Sequence, residues 1–94
     1  MRLSYVLINV EPGSEEEIMR GIFQIPDVKE CHRLYGRFDM IARVEAESAD
    51  KIKEVVMLRI RRIQGVRSTT TTMVIALQIR HISWSPTRKN SLDK

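Results

Sequence analysis

Two stretches of this chain read as one unit written twice. Met1 to Cys31 runs as a strand, a helix and then Ile25-Pro26-Asp27-Val28-Lys29-Glu30. Phe38 to Thr70 again runs as a strand and a helix, then Ile63-Gln64-Gly65-Val66-Arg67-Ser68. Apolar meets apolar at Ile25/Ile63 and Val28/Val66, and basic meets basic at Lys29/Arg67. A doubled strand-helix-strand unit within 94 residues predicts a split βαβ arrangement: an α+β, ferredoxin-like βαββαβ fold with a four-stranded antiparallel sheet and two helices on one face. That fold hosts many functions, so it narrows architecture more than chemistry.

The local patterns give the elements. Leu3 to Val10 is apolar on both alternate rows, so both faces of this strand call for cover. Pro12-Gly13 makes a turn, and Ser14-Glu15-Glu16-Glu17 has the form of a capping box at the head of a helix. Ile18, Ile22 and Ile25 fall on one helical stripe, which Pro26 ends. Lys29 to Tyr35 and Phe38 to Ala46 are strand-like, with a hairpin signal at Gly36-Arg37 between them. Ser48 is the second N-cap, and Ile52, Val55, Val56, Arg59, Ile60 and Ile63 trace the helical stripe that follows. Gly65 ends that helix, and Val66 to Ile79 alternates as a long final strand. Ile82 and Trp84 extend its apolar character, which predicts a single domain over 1–84 and a polar C-terminal tail over 85–94.

With both helices on one face, the other face is wet in a monomer. A chain of this size buries only about 60 to 65% of its unfolded surface. Burial of each apolar side chain contributes roughly 1.5 to 3 kcal/mol against the cost of association, so dimerisation through the open sheet face is expected. Apolar side chains from the first and last strands are expected to supply that surface. No apolar run approaches the length of a membrane span, and Met1-Arg2 leads into a strand without a signal-peptide pattern. A lone Cys31 excludes an internal disulfide and suits a reducing, cytoplasmic setting. The net charge of +4 is mild, and Arg88, Lys89 and Lys94 against Asp93 concentrate part of it in the tail. Charge therefore does not call for direct nucleic-acid binding.

Catalytic inventory is poor. Cys31 and His32 are neighbours on a strand and point to opposite faces, which argues against a Cys-His pair and against shared metal binding. His81 has no ligand-type residue at metal spacing, and the isolated glycines form no phosphate cradle. The expectation is no catalytic residue, no metal and no cofactor. Base stacking of RNA is disfavoured by the few aromatics, with Tyr5 alone well inside a central strand, and Arg61 and Arg62 read as a solvated helix face. The run Thr69-Thr70-Thr71-Thr72 suits a strand and also offers hydroxyl donors to a small ligand. Tyr35-Gly36-Arg37-Phe38-Asp39 sets a carboxylate three residues beyond a turn glycine, beside exposed backbone N–H groups. A zwitterionic amino acid needs both kinds of partner. Turn geometry alone explains the same residues.

Leu34-Tyr35-Gly36-Arg37-Phe38-Asp39-Met40-Ile41-Ala42-Arg43-Val44-Glu45-Ala46, followed by Ile63-Gln64-Gly65-Val66-Arg67-Ser68-Thr69, resembles the effector-binding domain of Lrp/AsnC regulators, the RAM domain. The likeness spans Ser4 to about Leu77, and its specificity lies in the order and spacing of the motifs. The resemblance implies sheet-mediated homodimers, rings of dimers and an amino acid bound between dimers at the central hairpin. Carried over, Tyr35, Gly36, Arg37, Phe38 and Asp39 become pocket residues, with Thr69 and Thr71 from another subunit as further candidates. Family regulators carry an N-terminal helix-turn-helix domain, whereas Met1 here lies two residues before the first strand. The chain thus resembles a stand-alone RAM protein that acts as an amino-acid-sensing, self-assembling module, with full-length Lrp/AsnC regulators as partners. An assembly adaptor without a metabolite, or a cofactor-free ferredoxin-like dimeric enzyme, are the competing readings.

Overall fold

The computed structural model describes residues 1–76. Its elements are β1 (Arg2–Val10), α1 (Glu15–Ile22), β2 (Val28–Arg33), β3 (Met40–Ala46), α2 (Ala49–Val55) and β4 (Val66–Met73). The sheet order is β2-β3-β1-β4, and every pairing is antiparallel. Each strand-helix-strand unit is therefore split by a strand of the other, as the sequence repeat predicts.

Alternation decides the two faces. Ser4, Val6, Ile8 and Val10 of β1 and Met40, Ala42, Val44 and Ala46 of β3 are buried, with Val28 and Cys31 of β2 beside them. They form one core with Ile18 and Ile22 of α1 and with Ile52, Val55, Val56 and Ile60 of the second helix. Ser4 is the polar exception: its hydroxyl is fully buried and has no hydrogen-bond partner among the described residues.

The helices depart from the sequence reading in three places. Ser14 makes no capping bond and sits at φ −100°, ψ 3° rather than in the extended conformation of an N-cap. Instead Glu15 Oε1 accepts from the Gly13 N–H at 3.0 Å. Ser14 packs against Gly65, where φ is +102° and an added Cβ would meet Ile18 Cδ1 at 2.9 Å and Ser14 Cβ at 3.0 Å. The first helix stops at Ile22, and Ile25 reaches the core from the following turn, whose amide donates to Ile22 O at 3.0 Å. The second helix begins on Ser48, whose hydroxyl accepts from the Lys51 N–H at 3.1 Å. It widens into a π-type turn over Val56–Ile60, with Arg61 N donating to Val56 O at 2.8 Å. Ile60 stays in the core through this turn, while Arg59, also on the stripe by α-helical count, is exposed.

Alanine at Ser48 is expected to cost about 1 kcal/mol in urea unfolding, and alanine at Ser14 less than about half that. Ser4→Ala removes an unsatisfied buried hydroxyl, so stability by the same measurement should stay level or rise by up to about 1 kcal/mol.

Candidate functional site

The hairpin between β2 and β3 is wider than the two-residue turn expected at Gly36-Arg37. Leu34 N donates to Asp39 O at 2.9 Å and closes a four-residue loop, Tyr35-Gly36-Arg37-Phe38. Strand pairing ends at Arg33 with Met40, and the Asp39 N–H and carboxylate reach β1. Its N–H donates to Ile8 O at 2.9 Å, and its Oδ2 accepts from Val10 N at 2.8 Å. Asp39 thus fastens the hairpin base to the central strand and keeps its second carboxylate oxygen, Oδ1, without a partner among the described residues. Gly36 takes φ +149°, a conformation side chains disfavour. None of the backbone N–H groups from Tyr35 to Phe38 has a partner among the described residues. Free backbone N–H groups of this kind are available to an anion where they converge.

Tyr35, Gly36 and Arg37 are exposed, while Phe38 and Asp39 are half-buried. Within one chain the threonines stand apart from this loop. Ile8 pairs with Met40 on one side and Thr69 on the other, so Thr69 stands two strand spacings, roughly 10 Å, from the hairpin base. Thr71 pairs with Val6, one step further away. By register both lie on the helix side of the sheet, at its β4 edge.

The open face carries Leu3, Tyr5 and Leu7 of β1 and Ile41 of β3, all half-buried except the more exposed Tyr5. The expectation that the last strand adds apolar side chains here is met only by Val74, just past β4, and not within β4 itself. Its residues on this face are Ser68, Thr70 and Thr72, because Met73 shares its register with Ser4 and turns toward the helices. Leu77, Ile79, His81, Ile82, Trp84 and the tail lie outside the described residues.

A charged cluster that sequence reading missed occupies the same face. Arg43 Nε donates to Glu30 Oε2 at 2.7 Å, its Nη1 bonds Glu45, and His32 Nε2 lies 2.9 Å from Glu30 Oε1. Hydrogen bonds with His32 and then Arg43 hold the Glu30 carboxyl below its ordinary range. The alternations Glu30/His32 and Arg43/Glu45 are visible in sequence, but only the strand register brings them together. Glu30, Arg43 and Glu45 border a hollow of about 760 Å³ with Leu3, Tyr5 and Val74, at the end of the face away from the hairpin.

Cys31 and His32 do point apart: Cys31 is buried in the core and His32 is exposed. Burial pushes the Cys31 thiol up to about 11, which leaves it protonated and a poor nucleophile at neutral pH. Among the described residues no group of three or more His, Cys, Asp or Glu side chains stands ready to hold a metal. No helix among them is long and apolar enough to cross a membrane.

The split sheet, its single helix layer and its bare second face place the chain among ferredoxin-like α+β domains. Residues 3–82 match the Lrp/AsnC ligand binding domain, and the chain belongs to that family. It is 34% identical over 71 residues to an uncharacterized HTH-type transcriptional regulator of Pyrococcus horikoshii, a match covering 72% of this chain and 47% of the regulator. The chain thus spans about half the length of the curated relatives it matches. A crystal structure of a Thermus thermophilus protein superposes with a TM-score of 0.80 at 25% identity, covering 85% of this chain and 100% of the other. A Neisseria meningitidis transcriptional regulator, solved as its L-Met complex, shares the fold with a TM-score of 0.80 at 15% identity over 95% of this chain and 58% of that one.

Modification of Cys31 by a thiol reagent at pH 8 should be at least tenfold slower in the native protein than in urea, as measured by absorbance of the released chromophore. Equal rates would contradict its burial.

Proposed function

We propose that this domain senses an amino acid at the β2-β3 hairpin and transmits occupancy through its assembly with other copies. The observation that carries the reading is the row of unpartnered N–H groups from Tyr35 to Phe38 next to the open Oδ1 of Asp39, in a chain of a ligand-binding family. An α-carboxylate fits the N–H row and an α-ammonium fits Asp39. Thr69 and Thr71 of a neighbouring copy are candidates for the opposite wall, which would place the ligand between subunits. The L-Met complex of the Neisseria regulator supports an amino acid as the ligand class.

The open face is the proposed meeting surface of two copies. Its Leu3, Tyr5, Leu7 and Ile41 gain from further burial, and the paired charges of Glu30, Arg43 and Glu45 enter already hydrogen-bonded. In relatives about twice this length the corresponding domain accompanies other sequence, so ligand-dependent assembly is the activity assigned to this part. The reading is regulatory rather than enzymatic, in line with the family and with the inert thiol of Cys31.

A thermal-shift screen of the twenty amino acids, with light scattering on each hit, tests the reading. A stabilising ligand at a hundredfold excess over Kd should add about 2.7 kcal/mol, and the particle mass should change with it. Asp39→Asn keeps an oxygen for the Val10 N–H and removes the charge, so it should retain assembly and fold while weakening binding at least tenfold. A flat screen on a stable oligomer would turn the assignment to an assembly adaptor.

A further inference from the structure

The hairpin carries more positive charge than a neutral amino acid can use. Arg33 stands at the end of β2 and Arg37 at the apex of the loop, and both are exposed. Neither guanidinium has an ion-pair or hydrogen-bond partner among the described residues, a state they share with Arg2, Arg20, Arg59, Arg61 and Arg62, whereas Arg43 and Arg67 are each paired with glutamate; what sets Arg33 and Arg37 apart is their place on the hairpin beside Asp39. From Arg33 to Asp39 the segment holds two guanidinium cations and one carboxylate, which leaves one net positive charge. One oxygen of that carboxylate is already committed to the Val10 N–H.

A zwitterion brings no net charge. Its ammonium would meet Asp39 and its carboxylate the N–H row, leaving both arginines as they were. A ligand with a second carboxylate completes the balance, because a guanidinium presents paired donors in a plane matched to a carboxylate. Resting on the sensor reading above, we infer that the hairpin site selects an α-amino acid with an acidic side chain, glutamate or aspartate, whose side-chain carboxylate is held by Arg37 with support from Arg33. The α-carboxylate takes the N–H groups of Tyr35 to Phe38, and the ammonium takes Asp39 Oδ1. An amide side chain is isosteric with the acid but supplies no charge to the guanidiniums. The discrimination therefore lies between glutamate and glutamine, or aspartate and asparagine, rather than in pocket size.

Isothermal titration of the full chain with L-glutamate, L-aspartate, L-glutamine, L-asparagine and L-leucine tests this selectivity. One acid should bind at least tenfold more tightly than its amide. That margin should shrink as salt rises from 0.05 to 0.5 M. Arg37→Gln should abolish the preference for acid over amide while leaving the unliganded melting temperature unchanged, and Arg33→Gln should reduce it. Equal binding of acid and amide, or a preference for leucine, overturns acidic selectivity while leaving amino-acid sensing in place. Binding of none of these five, together with a flat thermal-shift screen of all twenty amino acids, overturns both. An acid preference that survives both substitutions removes the arginines from the role.

Discussion

Every other element of this domain takes its position from β1. The strand pairs with β3 along one edge and β4 along the other, so a shift in its register would displace half the sheet on each side. Its buried row of Ser4, Val6, Ile8 and Val10 forms the middle of the core under both helices. The Val10 end also receives the hairpin, through the Asp39 carboxylate, and Glu11 N beyond it donates to Gly65 O at 2.7 Å, drawing the close of the second helix to the same end of the sheet. A single central strand thus sets both the packing and the placement of the loops.

In the proposed site, Asp39 would join stability to recognition. Half of its carboxylate satisfies a strand amide that would otherwise lack a partner, and the other oxygen has no partner among the described residues. A carboxylate tied down on one oxygen loses little further freedom when the second meets a cation, which favours recognition. The same tie makes removal of the whole side chain ambiguous as a probe, since fold and binding would be disturbed together. An exchange that spares the acceptor separates them.

The open face mixes apolar and charged groups in an order that matters. Leu3, Leu7 and Ile41 offer burial, while Glu30, Arg43, Glu45 and His32 satisfy one another at one side of the face, and β4 contributes hydroxyls. Paired charges cost less to cover than lone ones but seldom add net stability when buried. In the proposed pairing of copies the apolar side chains would supply most of the driving force for covering this face, and the charged strip would restrict which surface can lie against it.

The amino-acid order alone determined the repeat and hence the split βαβ topology, the helix stripes through Ile18, Ile22, Ile52 and Ile60, and the Ser48 cap, because these depend on residues within a few positions of each other. It also marked Tyr35 to Asp39 as a turn bearing a carboxylate beside free amides. Only the tertiary structure decided that Asp39 is bonded to Val10, that Thr69 and Thr71 stand apart from the hairpin of their own chain, and that Glu30, Arg43 and Glu45 form one cluster. The packing of Ser14 against Gly65, far along the chain, was likewise settled only in the fold. Each of these rests on strand register or on contact between segments remote in sequence, and local periodicity carries no information about either.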